Sequence, residues 1–198
     1  ADSLVAFIQE MKYNLVLTAD NKVYLGSESD FTDEEGDFIE GAETIETWEN
    51  LSDAQRDMSI GYLKTKDDRN SSGELFWHKD RPENENVSTD LKKKMLVYRD
   101  FLTSLAEGNP NLQESINKVF KLEGNLGKKK NESWEQYNFH DMPAVGALTL
   151  LSKMQADVRN TEGDIINMLK ENIEANSLKF TSAEGIAVQN SNFLLRGD

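Results

Sequence analysis

Hydrophobic and polar positions recur most regularly between residues 142 and 175. Apolar side chains there follow alternating spacings of three and four, the pattern of a heptad seam diluted by polar residues. A second apolar stripe lies beside this seam and widens the face to that of a helix packed in a bundle. The pattern predicts one helix of roughly 50 Å at about 1.5 Å per residue. The predicted packing or dimer seam consists of Leu148, Leu151, Gln155, Val158, Glu162, Ile165 and Leu169.

Start and stop signals predict where this helix begins and which helices precede it. Asp141 is a suitable N-cap, and Pro143 suits the first turn, where its missing N–H costs little. Upstream, the apolar spacing predicts a helix over residues 3–20 with Ser3 as its cap. Two more helices are predicted: the first is capped by Ser88 or Thr89 and runs to Gly108, and the second opens at Asn109-Pro110 and ends near Gly124.

Residues 21–87 are less regular, and residues beyond Leu178 change character. Short helices are expected near Trp48 and over residues 53–63, with turn chemistry over residues 67–73. From Leu178 onward, apolar residues alternate as they do in strands. The fold class predicted is therefore mainly α: an elongated helical bundle over residues 1–176 with one long C-terminal helix. Residues 177–198 are predicted to be a linker and the first strand of a following β-rich domain, truncated here. Both chain ends are interpreted as cuts in a longer protein.

Composition narrows the classes of partner. The chain has 198 residues and a formal net charge of −14, which argues against binding nucleic acid or anionic lipid, since both are negatively charged. It contains no cysteine, which excludes disulfides and thiolate metal sites.

Catalytic signatures are missing from the sequence. The two histidines stand outside any metal-binding or triad motif, and the acidic stretch over residues 26–40 lacks the ligand rhythm of a calcium loop. We therefore expect no catalytic, cofactor or metal residues, no cofactor, and no enzyme activity.

One run of the predicted long helix is more specific than a heptad requires. It reads Lys153-Met-Gln-Ala-Asp-Val-Arg-Asn160, with Pro143 before it and Glu162 after it. No generic seam calls for Gln155, Arg159 and Asn160 together, so Arg159 and Asn160 are candidate interface residues. Together with the preceding aromatic group around Trp134, this run resembles the GldM/PorM family of gliding-motility and type IX secretion motor proteins.

The resemblance implies a role and a set of partners. Members of that family are implied to be membrane-anchored homodimers, held in the inner membrane by a transmembrane helix, here upstream of Ala1. A partner of the GldL/PorL type completes a proton-driven motor there. The periplasmic part is implied to be a shaft that reaches an outer-membrane-associated lipoprotein ring of the secretion system. This chain would be the membrane-proximal helical domain, serving protein transport as part of a molecular motor. The alternative is a periplasmic helical ligand-sensing domain of a membrane-anchored signalling protein.

Overall fold

The computed structural model of the chain describes residues 1–82, 85–122 and 132–181, and the side chains of the last helix as far as residue 175. The described residues are mainly helical, with one small antiparallel sheet. The helices are α1 (Asp2–Asp20), α2 (Asp53–Arg56), α3 (Asn70–Phe76), α4 (Val87–Leu105), α5 (Pro110–Val119), α6 (Trp134–Phe139) and α7 (Ala144–Thr181). The strands are β1 (Val23–Leu25), β2 (Glu43–Thr44) and β3 (Ile60–Tyr62).

Helix α1 forms the centre of the bundle. Its buried face repeats at helical spacing through Leu4, Ile8, Met11 and Leu15, as the sequence predicts. The helix starts one residue before Ser3, so the predicted serine cap is wrong, and no side chain caps this end. It stops at Asn21, which adopts a left-handed conformation with φ 59°, the usual way for a helix to close.

A three-stranded sheet in the order β2-β1-β3 follows α1, where the sequence analysis predicted loops and short helices. Strand β3 occupies the second half of the helix predicted over residues 53–63, and α2 is a single turn. Gly61 permits the close pairing of β3 with β1. A Cβ atom at this position would lie 2.3 Å from the ring of Phe31 and 2.7 Å from the carbonyl oxygen of Gly26. The strand backbone must approach its neighbours this closely, which glycine alone permits.

The middle helices are placed by buried side chains and by caps. Asn109 caps α5 as predicted, its Oδ1 accepting from the amide of Leu112 at 3.2 Å. Helix α5 ends at Val119, before the predicted end. Ser88 does not cap α4, because the helix already begins at Val87. The buried hydroxyl of Ser88 instead donates to the carbonyl of Phe76 at 2.6 Å. The side chain is therefore used for tertiary contact rather than for capping.

Helix α7 is continuous from Ala144 to Thr181, and the predicted mainly helical fold with a long C-terminal helix is confirmed. Its 38 residues extend about 57 Å at about 1.5 Å each. Residues 179–181 are helical where the alternating pattern predicted strand. The rest of that predicted strand, residues 182–198, lies outside the described residues. Within the described ranges, no helix combines the length and the low polarity that a membrane span requires.

Candidate functional site

The start of α7 is held by backbone contacts with the loop before α3. The amide of Ala144 donates to the carbonyl of Asp68 at 2.7 Å, and the amide of Val145 donates to the carbonyl of Lys66 at 3.1 Å. These bonds satisfy donors that a helix N-terminus otherwise leaves unpaired. The prediction that Asp141 is the N-cap of α7 is therefore wrong. It lies three residues before the helix with φ 56°, and its carbonyl accepts from Arg69 Nη1 at 2.8 Å.

The bundle-facing side of α7 is a continuous buried stripe. Its members recur at alternating spacings of three and four over six turns of helix, the geometry of knobs-into-holes packing. The stripe consists of Ala144, Ala147, Leu151, Met154, Val158, Thr161, Ile165 and Met168. Most of its contacts are with α1, and the hydroxyl of Tyr98 on α4 also reaches the carbonyl of Val158, at 3.3 Å. The first two thirds of α7 are thus clasped by the bundle.

The predicted seam overlaps this stripe in part. Leu151, Val158 and Ile165 are buried in it. The other four predicted residues lie one position later than the residues that the bundle uses. Leu148, Gln155 and Glu162 are half-buried, and the side chain of Leu169 is 40% exposed. Their pairing with a second copy of the chain stays a prediction.

Gln155 joins α7 to α1 through polar contacts that sequence reasoning missed. Its Nε2 donates to the carbonyl of Val5 at 3.1 Å and to Gln9 Oε1 at 3.2 Å. Its Oε1 accepts from Lys12 Nζ at 2.9 Å. Because both ends of the amide are engaged, these bonds hold the two helices in one register. The two sides of these contacts are far apart in the chain, and the seam pattern marks only Gln155.

Arg159 and Asn160, the candidate interface residues, both lie on the exposed side of α7. Arg159 Nη1 forms ion pairs within the chain, at 2.7 Å with Asp2 and at 3.1 Å with Glu162. The hydrogen bond from Arg159 lowers the pKa of the Asp2 carboxyl below its usual value. The pair links the start of α1 to the middle of α7 at the surface, and Asn160 leaves its amide open to solvent. An interface role for either residue stays a prediction.

Beyond Met168, α7 continues without burying any residue as far as position 175. An exposed apolar stripe begins just before this projecting segment and continues along it. Its members Ile166, Leu169 and Ile173 are 45%, 40% and 68% exposed, and their spacings of three and four place them on one side of the helix. Among the described residues, no cluster of three or more histidine and acidic side chains is arranged to hold a metal ion.

A comparison with known protein families agrees with the resemblance seen in the α7 sequence. Residues 36–172 match the family model described as the GldM N-terminal domain. The chain belongs to the GldM family. The match takes in helices α2 to α6, strands β2 and β3, and α7 as far as Asn172, which includes the Lys153 to Asn160 run. No curated protein matches the chain.

Membership gives the chain a coarse biological setting. The GldM family belongs to the gliding and type IX secretion machinery and supplies a structural component of a motor complex, not a known enzyme. Its members are periplasmic domains of a protein anchored in the inner membrane.

Proposed function

We propose that this domain transmits mechanical energy across the periplasm as the membrane-proximal part of a proton-driven motor. The input would come from an inner-membrane partner of the GldL/PorL type. The output would pass to the outer-membrane gliding and type IX secretion machinery, including its lipoprotein ring. An N-terminal transmembrane helix would anchor the protein. The observation that carries the proposal is α7, a single helix clasped by the bundle over residues 144–168 and projecting beyond it.

The way α7 is held supports such a role. Its first amides are bonded to the loop before α3, and its buried stripe interlocks with α1 over many turns. Turning or sliding α7 against the bundle would require these apolar contacts to unpack together, because protein interiors are close-packed. A displacement of the bundle would therefore move the projecting end of α7 with it.

A flexible insertion at the projecting end of α7 should abolish the transmission of force. We expect a seven-residue Gly-Ser insertion between Ala175 and Asn176 of the full-length protein to stop gliding and type IX secretion in the native host. Flexible linkers of this composition behave as random coils and do not carry torque or bending. The measurement is secreted cargo in the medium and colony spreading, with protein level and copurification of the inner-membrane partner unchanged.

The matched control is a seven-residue insertion of helix-forming Glu, Ala and Lys at the same place. Seven residues make about two turns of helix, so the phase shifts by only about 20° and the helix lengthens by about 10 Å. We expect this variant to keep most of the activity. Equal tolerance of the two insertions, or equal loss with both, would count against transmission through a stiff α7.

We also infer that the exposed stripe of Ile166, Leu169 and Ile173 pairs with the same stripe of a second copy. An isolated helical segment of this length is marginal in water. Its apolar side chains at heptad spacing gain most from a like partner, since a two-fold pairing places each stripe against itself. The Glu and Lys residues that flank the stripe suit the solvated rim of such a pair. The domain would therefore act as a homodimer.

Charged residues in this stripe should dissociate the pair without unfolding the bundle. We expect Leu169→Asp/Ile173→Asp to raise the dimer dissociation constant by about a hundredfold, since two buried apolar contacts per protomer are worth about 3 kcal/mol. Sedimentation equilibrium measures the change, and the melting temperature should stay near that of the parent. Val97→Asp is the control, because Val97 is 71% exposed but lies on α4. Dissociation by Val97→Asp, with none from the double variant, would place the seam elsewhere.

The alternative of a ligand-sensing domain in a signalling protein gains no support from the family match. Membership in a motor-complex family favours the mechanical role over it.

A further inference from the structure

A cleft of about 1080 Å³ runs along the outer side of α1. One wall comes from α7, through Gln155 and Arg159, and residues of the segment between Trp48 and Ser59 also line it. Its lining includes four cationic side chains, Lys12, Arg56, Lys94 and Arg159, and four acidic ones, Asp2, Glu10, Asp53 and Asp57. How each of these charges is balanced shows what the cleft can bind.

Three of these cations already have partners. Arg56 pairs with Asp53 at 3.6 Å, and Arg159 pairs with Asp2 at 2.7 Å. The ammonium of Lys94 lies 5.0 Å from the ring centre of Phe7, a cation–π contact.

Lys12 is balanced by no negative charge. None of the described carboxylates lies within ion-pair distance of its ammonium, which donates to the neutral Gln155 Oε1 at 2.9 Å. The side chain is half-buried, and that burial lowers the pKa of Lys12. An ammonium held away from water without a counter-charge is unfavourable unless an anion reaches it.

The hydrogen bonds around Lys12 leave unused donors on two side chains that line the cleft. The ammonium has three N–H groups, of which one is used by Gln155. The Gln9 amide uses one N–H on the carbonyl of Met58, at 2.7 Å, while its oxygen accepts from Gln155. Among the described residues nothing else takes the remaining donors of these two side chains. Gln9 and Lys12 therefore present fixed donors and a single positive charge.

We propose that this cleft binds a small organic monocarboxylate, with its two oxygens on Lys12 and Gln9. A carboxylate carries one negative charge and two acceptor oxygens, which matches one ammonium and one amide donor. Glu10 and Asp57, which line the same cleft, would oppose a phosphate dianion more strongly than a monoanion. The aliphatic part of the ligand would rest against Val5, Trp48 and Met58, three of the apolar residues of the lining.

The test is a titration of the ¹⁵N-labelled protein with sodium butyrate at constant ionic strength, with sodium chloride as the exchanged salt. The side-chain amide signals of Gln9 and Gln155 should shift along a saturable curve. Butyramide, the neutral isostere, should produce no saturable shift. Lys12→Met should weaken butyrate binding by about tenfold or more, the loss of one charge-assisted hydrogen bond. Lys94→Met, which removes the other lysine of the cleft, should bind butyrate within about twofold of the parent.

Several results would overturn the proposal. Shifts that rise in proportion to butyrate without saturating, or that appear equally with butyramide, would mean that no carboxylate site exists. Unchanged binding in folded Lys12→Met would place the ligand elsewhere. Tighter saturation with inorganic phosphate than with butyrate would make the anion class wrong. The comparison of butyrate with butyramide on the unmodified protein decides the matter even if Lys12→Met does not fold.

Discussion

Leu151→Asp is expected to unfold the bundle or to lower its free energy of unfolding by about 3–5 kcal/mol or more. Leu151 is 0% exposed and lies in the middle of the buried stripe of α7, so an aspartate there would be a buried charge without a partner. Truncation to alanine alone costs about 2–5 kcal/mol at such sites. Domains of this size are stable by only about 5–15 kcal/mol. Urea denaturation followed by circular dichroism at the helical band measures the effect.

Ala156→Asp is the matched control for this substitution. Ala156 lies on the same helix, is exposed, and receives the same added charge. A surface change of this kind inside a helix normally alters stability by less than about 1 kcal/mol. If Leu151→Asp unfolds at the same urea concentration as Ala156→Asp, α7 does not pack through the stripe described above.

The long helices follow from the sequence because their signal is repeated many times. Over α7, apolar residues at heptad spacing recur for six turns, so single polar positions such as Gln155 do not obscure the period. The sheet has no such repetition. Strand β2 has two residues and β3 has three, which is too short for alternation to be recognised. These strands depend on pairing across the chain and on the close contact of Gly61 with Phe31, neither of which a local pattern records.

In α7, the pattern of hydrophobic residues did not by itself identify which side of the helix is buried. Positions such as Ala147 and Thr161 are small or weakly apolar, yet the bundle buries them. Leu148, one position after Ala147, and Leu169, one position after the buried Met168, are more hydrophobic than those residues and therefore fitted the predicted seam better. A helix buries the side that its neighbours can approach closely, and small residues permit that approach. The more hydrophobic neighbours are then left for a second partner, or for solvent.

The polar contacts across the bundle could not be predicted from the sequence. Lys12 meets Gln155 from 143 positions away, and Lys92 meets Glu135 from 43 positions away. In a chain with 36 acidic residues, no single carboxylate stands out before the fold brings it to a cation. In the folded protein, burial distinguishes one ion pair from the others.

Removing the amino group of Lys92 should destabilise the domain by about 3–5 kcal/mol, because it leaves a buried carboxylate uncompensated. The side chain of Glu135, on α6, is only 2% exposed, and its two oxygens lie 3.2 and 3.3 Å from Lys92 Nζ on α4. Lys92→Met keeps the length and apolar stem of the side chain while deleting its charge. Urea denaturation at pH 7 measures the loss.

Two further variants separate this explanation from a general effect of losing a lysine. Lys93→Met deletes the neighbouring charge, whose 3.7 Å pair with Asp90 is solvent-exposed on both sides and should contribute about 0–1 kcal/mol. Lys92→Met/Glu135→Met replaces the buried pair by apolar side chains and should recover most of the stability, because the unpaired charge is gone. If the double variant is as unstable as Lys92→Met, packing rather than charge holds α4 against α6. If Lys92→Met and Lys93→Met unfold alike, the Glu135 carboxylate reaches water or another donor, and the pair with Lys92 is not what compensates its burial.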